Sequence, residues 1–170
     1  MDDYGSIGVA CTTRIQMDLE DVWQRLAGVR ALEFRARSTA TTATGWQGVG
    51  QGTVEVQAPS EETLVYREQG QWKSAAGTSF AFTNSYRWTR YSSSGLLSLE
   101  HLRFGDERPV SLFELAAAGE GEWRSTAAHF CSEDCYSAVM HFGDEIVHLE
   151  WKVNGPNKSE VISYSYREVC

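Results

Sequence analysis

The amino-acid sequence predicts a mainly β protein, an antiparallel lipocalin-like (calycin-like) barrel of about ten strands preceded by one short helix. Three observations carry this. Apolar and polar residues alternate with period two nearly everywhere after Gly28, and the alternating segments are joined by hairpin-length turns. No helical pattern recurs between them, so the βαβ rhythm of a parallel sheet is absent. A closed barrel is preferred to a Greek-key sandwich because a sandwich needs longer crossing connections.

The helix is read over residues 18–27. Asp18 is placed to cap it, Asp21 lies near its positive dipole end, and Leu19, Val22, Trp23 and Leu26 form one apolar stripe. Gly28 stops it. So short a helix must dock on something, and a plug at a barrel end suits it. Strands follow at Ala31 to Thr39 and at Trp46 to Val56. In the second, Gly48, Gly50 and Gly52 alternate on one face, which marks tight curvature or close backbone approach. The glycines lack the following helix that a phosphate cradle needs.

Glu62 to Gln69 places Leu64, Tyr66 and Glu68 on one face. Thr78 to Tyr91 does the same for Phe80, Phe82, Tyr86 and Trp88, a face read as core. Leu96 to Phe104 and Val110 to Leu115 flank the turn-rich Gly105–Pro109. Glu122 to Cys131, Cys135 to Phe142, Glu145 to Asn154 and Ser159 to Glu168 complete the barrel over residues 31–168. The whole chain, residues 1–170, reads as a single domain.

Composition excludes several function classes. A net charge of −8 with no basic run disfavours a nucleic-acid partner or an anionic bilayer surface. No segment approaches the roughly 20 apolar residues needed to span a membrane. Met1-Asp2-Asp3 is acidic where a targeting peptide would be basic, so the expected location is cytoplasmic, with Cys11, Cys131, Cys135 and Cys170 as reduced thiols. There is no P-loop, nucleophile elbow or dinucleotide fingerprint. No cofactor is assigned.

Several blocks occur in a recognisable order. Leu64-Val65-Tyr66-Arg67-Glu68-Gln69-Gly70 is followed by Tyr86-Arg87-Trp88 and Arg108-Pro109. Then come His129-Phe130-Cys131-Ser132-Glu133-Asp134-Cys135-Tyr136, Trp151 to Lys158, and Tyr166-Arg167. From about Leu32 to Arg167 the series resembles a family of small domains that carries only a domain-of-unknown-function label. The resemblance implies a lipocalin-like barrel and no established activity. The chain departs from the pattern at Arg30, where a G-x-W opening places Trp, and at Asn157, where a basic residue would precede Lys158.

The candidate ligand-binding residues are Tyr66, Glu68, Tyr86, Trp88, His129, Cys131, Tyr136, Trp151 and Tyr166, with Tyr164 an alternative to Tyr166. Aromatics repeating at period two can fill a barrel or line a chamber for a flat apolar ligand. If Glu68 faces inward, its carboxyl either meets an arginine (Arg35, Arg37, Arg90, Arg103 or Arg167) or rises in pKa and becomes an anchor or general base.

His129 and Cys131 lie two apart on one strand, about 6.5–7 Å between Cα atoms, so they share a face. With Asp134 or Cys135 they form a partial zinc-ligand set, but also an ordinary polar pair, and no metal site is assigned. Asp134, Gly155 and Pro156 read as structural turn residues.

Three functions follow. The leading one is a binding barrel for a small hydrophobic or aromatic molecule. The alternatives are an isomerase, cyclase or hydrolase using Glu68 or His129 as base, and an interaction subunit whose filled barrel meets a protein partner.

Overall fold

A computed structural model of the chain describes residues 17–38, 47–131, 133–156 and 158–168, the side chains of His129, Cys131 and Lys158 apart. Met1 to Asp3, Cys11, Thr39, Trp46, Asn157 and Cys170, on which parts of the sequence reading rest, lie outside the described residues.

The predicted helix is α1, Leu19–Gly28, one residue further on at each end than expected: Gly28 is its last residue and Val29, not Gly28, is the C-cap. Its start is a capping box in which the Asp21 N–H donates to Asp18 Oδ1 at 2.9 Å and the Asp18 N–H donates to Asp21 Oδ2 at 3.3 Å. Val22, Trp23 and Leu26 are buried, the same stripe that the 3.6-residue period picks out.

The strands are β1 (Val29–Ser38), β2 (Gly48–Ser60), β3 (Thr63–Ser74), β4 (Ser79–Tyr91), β5 (Leu96–His101) and β6 (Val110–Gly119). After them come β7 (Glu122–Ser125), β8 (His129–Cys131), β9 (Asp134–Phe142), β10 (Ile146–Gly155) and β11 (Lys158–Glu168). Each pairs antiparallel with its sequence neighbour except that β7 and β8 both lie along β9. The pairing of β1 with β11 closes the meander, from Val29↔Glu168 to Ser38↔Glu160. The wall is therefore a closed barrel of ten staves, β7 and β8 forming one of them.

Several strand boundaries are corrected: β2, β3 and β6 run on to Ser60, Ser74 and Gly119, past the expected ends at Val56, Gln69 and Leu115. The strand expected over Glu122 to Cys131 is broken, because its register on β9 slips between Arg124↔Val139 and His129↔Tyr136. The Thr126 N–H donates instead to the Glu114 carbonyl of β6, which takes the chain off the ladder at the break. The strand expected to reach Phe104 ends at His101, where the Leu102 N–H turns to the Ser85 carbonyl and Gly105, at φ 89°, makes the turn.

Helix α1 closes one end of the barrel. Tyr66 of β3 donates its hydroxyl to the Leu26 carbonyl at 2.5 Å, satisfying one of the acceptors left free at the helix end. Arg25 pairs with Glu168, and Arg90 pairs with Glu20 while lying 5.1 Å over the Trp23 ring. The opposite end carries the β3–β4, β5–β6 and β10–β11 turns. Among the described residues no helix is long and apolar enough to cross a membrane.

Candidate functional site

Register decides which side chains enter the barrel. On β3, Leu64, Tyr66, Glu68 and Trp72 are buried while Arg67, Gln69, Gln71 and Lys73 are exposed. Across the β3–β4 pair the inward partners are Leu64↔Trp88, Tyr66↔Tyr86, Glu68↔Asn84 and Gly70↔Phe82. On β10 and β11 the inward set includes Leu149, Trp151, Val153, Tyr164 and Tyr166.

The glycines of β2 bring these walls together. Gly50 lies under the Phe34 ring, and a Cβ on Gly52 would collide with the Gln69 carbonyl and the Gly70 Cα of the next strand. With side chains missing there, aromatics from β1 and β11 reach those of β3 and β4. Phe34 meets Phe82 edge-to-face at 5.2 Å, and Tyr66 meets Tyr166 the same way at 5.6 Å. Tyr164 stacks between Phe34 and Tyr166, each at 5.2 Å. Further contacts cross the barrel from Tyr86 and from Phe113 to Trp151, at 6.1 and 5.8 Å. Such offset and edge-to-face pairs add to simple area burial.

Glu68 lies within this cage and is only 2% exposed. Tyr166 donates its hydroxyl to Oε1 at 2.7 Å, and Asn84 donates Nδ2 to Oε2 at 3.3 Å. Burial raises the Glu68 carboxyl from its ordinary 4.5 to about 7, the two hydrogen bonds holding it lower than burial alone would. Burial likewise raises the hydroxyls of Tyr66, Tyr86, Tyr164 and Tyr166, with the Glu68 charge adding to it in each.

The expected arginine partner is a correction, because none of the five candidates reaches Glu68. Arg90 is engaged by Glu20, and Arg167 lies 3.8 Å from Glu33. Arg35 and Arg37 are exposed on the outward face of β1, and Arg103 lies beyond the end of β5 over the Phe104 ring. Beyond the bulge between Val29 and Ala31, odd-numbered positions of β1 and those of β11 point outward, so their arginines cannot serve an inward carboxylate.

The interior is not uniform along its axis. Toward α1, Val22, Leu26, Leu64, Tyr66, Trp88, Leu97, Leu115 and Val147 are sealed from solvent. Toward the other end the inward residues Phe34, Phe82, Asn84, His101, Tyr136 and Ile162 are only partly buried, interleaved with buried Ala36, Trp72 and Val153. Glu68 sits where the two regions meet. Phe80 is a correction to the expected core face. It stands at the rim, 52% exposed, and stacks on Trp72 at 5.7 Å.

Of the residues singled out from sequence, Tyr66, Glu68, Tyr86, Trp88, Trp151 and Tyr166 share the buried interior, and Tyr136 lies in its partly exposed half. Both Tyr164 and Tyr166 face inward, which resolves the choice between them. The side chains of His129 and Cys131 lie outside the described residues. The Asp134 carboxylate occupies the space a Cβ on Gly155 would take, so Gly155 fits the β10–β11 turn because it has no side chain. Asn84 and His101 were missed. Asn84 was detectable as the one polar interruption of the inward run from Phe80 to Trp88. His101 stacks on Tyr86 at 4.8 Å, and burial lowers its pKa, which favours the neutral ring.

No curated protein matches the chain. Residues 31–168, the barrel without the helix, match the Family of unknown function (DUF6314), and the chain belongs to that family.

Proposed function

We propose that the barrel binds a small, largely apolar or aromatic molecule in the half away from α1. The observation that supports this is the axial contrast in burial. Inward side chains are sealed on the helix side, whereas inward Phe34, Phe82, Asn84, His101, Tyr136 and Ile162 retain contact with solvent. An interior of mostly apolar walls with a few converging polar groups is the usual make-up of a small-molecule site. Here Asn84 and Glu68 are the polar groups beneath the opening, and the aromatic rings supply its walls. Trp88, Tyr66 and Trp151 form the packed floor, which limits the ligand to a compact one.

Native mass spectrometry of gently purified protein, paired with its absorption spectrum, tests this directly. A co-purifying mass lost on denaturation supports the binding reading. The neutral dye Nile red provides a second arm: it is expected to bind wild type and to be excluded by Ile162→Trp, which plugs the opening. A bare polypeptide mass together with no dye binding overturns the proposal.

A second reading is acid–base catalysis by Glu68, favoured by a carboxyl poised near neutrality with no arginine to hold it ionised. It requires a substrate to reach the carboxyl past Asn84. Glu68→Gln then abolishes turnover while leaving ligand binding and the fold in place.

A further inference from the structure

The buried carboxyl narrows the class of ligand, and this inference rests on the binding proposal above. An ionised carboxylate offers about four acceptor positions. Glu68 receives two hydrogen bonds, both from neutral donors, and the one from Asn84 is long at 3.3 Å. Among the described side chains no lysine or arginine stands at an inward-facing strand position in the open half of the barrel. An ionised Glu68 is therefore short of both donors and counter-charge inside a low-dielectric cage, where such a deficit is costly.

The residues around it are largely aromatic rings. Tyr86 and Tyr164 are close enough to feel its charge, and Phe34 and Phe82 stand on the same inward strand faces in the partly exposed half. A carboxylate set among aromatic faces is the chemistry that recognises a positive nitrogen, by charge-assisted hydrogen bonding and by attraction to the ring quadrupole. The protein's net charge of −8 adds a long-range attraction for cations over anions.

We propose that the open half of the barrel takes a small organic cation, a protonated amine on an apolar or aromatic skeleton. Its ammonium lies toward Glu68 and Asn84, and its hydrocarbon part lies against Phe34, Phe82 and Ile162. An amine supplies up to three N–H donors and the missing charge in one group. A carboxylic acid ligand would instead bring a second negative charge to the same cage, which like-charge repulsion disfavours.

Binding of this kind carries a proton signature. The groups facing Glu68 are Tyr66 from its own strand, Tyr86 and Asn84 from β4, and Tyr164 and Tyr166 from β11, with His101 of β5 one ring further out. The tyrosine hydroxyls stay neutral well above the range in which Glu68 titrates, and the His101 ring is held toward its neutral form. Glu68 is thus the group that changes charge as pH passes through neutrality.

Isothermal titration of the full chain with 2-phenylethylamine, 2-phenylethanol and 3-phenylpropionate separates the outcomes. The amine is expected to bind at least about tenfold more tightly than the neutral and acidic analogues. Its affinity is expected to rise about tenfold from pH 6 to pH 8, the change in the ionised fraction of a carboxyl that titrates near 7. Glu68→Gln removes both the preference and the pH dependence. At pH 6.5, titrations of wild type in buffers of different ionisation enthalpy are expected to show release of most of one proton per amine bound, a readout independent of any variant's folding.

Equal or tighter binding of the alcohol or the acid overturns the cation inference and leaves the binding reading standing. Amine binding without proton release also overturns it. Failure of all three probes, with Nile red likewise excluded, overturns both.

Discussion

At the scale of the residue, Glu68 sets the chemistry of the interior. Its carboxyl titrates near 7 in the fold and near 4.5 when the chain is unfolded, so between these values the folded state holds a proton that the unfolded state has lost. Protonation at this site therefore stabilises the protein fully below about pH 4.5, and the contribution disappears as pH rises through 7. The loss is on the order of 3 kcal/mol. Denaturant melts of wild type and Glu68→Gln at a series of pH values are expected to show wild type losing about that much relative to the variant over this window. Parallel curves would place Glu68 in contact with water or a cation. Tyr166→Phe removes one of its two donors, and the expected cost is about 1–3 kcal/mol, larger at pH 8 than at pH 5 because the ionised form needs the donor more. That Glu68 points inward was legible from its spacing to Leu64 and Tyr66. Its partner was not, because Tyr166 is 98 positions away and reaches it only once β11 is seated beside β1.

At the scale of the element, the glycine-bearing β2 governs how closely the walls approach. Alternating glycines on one face could be read directly, but their neighbours are another matter. The collision at Gly52 is with backbone of β3, which cannot yield without deforming the sheet, whereas at Gly50 it is with the Phe34 ring, a side chain that can turn aside at the cost of its contacts with Phe82 and Tyr164. Gly52→Ala is therefore expected to destabilise more than Gly50→Ala. Overpacking typically costs about 1–3 kcal/mol, and Gly52→Ala belongs at or above the upper end of that range in a thermal or denaturant melt. The docking of α1 is a second element-scale property. Tyr66→Phe removes the hydroxyl donated to the Leu26 carbonyl and is expected to cost about 1 kcal/mol while leaving the far-ultraviolet spectrum of the barrel unchanged. An unaltered melting midpoint would show that apolar packing of Val22, Trp23 and Leu26 holds the helix by itself. The break between β7 and β8 had no signature in the alternation, because Thr126 leaves the ladder to satisfy a carbonyl on β6 that only the fold brings near.

At the scale of the molecule, closure by β1 and β11 gives every strand among the described residues a partner on both sides except β8, which pairs with β9 alone. Native-state hydrogen exchange is expected to show β1 and β11 opening with the same free energy as β3 and β4, and α1 opening earlier because it is held by one stripe and a few polar contacts. Exchange of β1 and β11 well ahead of β3 would mean that closure is a weak seam. The same closure gives the barrel two unlike ends, one plugged by α1 and one bordered by partly exposed aromatic residues.

Period-two alternation, the turn chemistry and the capped helix by themselves determined the strand succession apart from the β7–β8 break, the meander, the position of α1 and the inward face of β3 and β4, since each depends on residues within a dozen positions of one another. The tertiary structure alone decided that Glu68 meets Tyr166 and Asn84 instead of an arginine, that the helix side is filled, and that the far side keeps its aromatics partly exposed. Those outcomes depend on the barrel register, which places side chains from β1, β4, β10 and β11 over the bare inner face of β2, and no local pattern encodes a distance between strands that meet only when the barrel shuts.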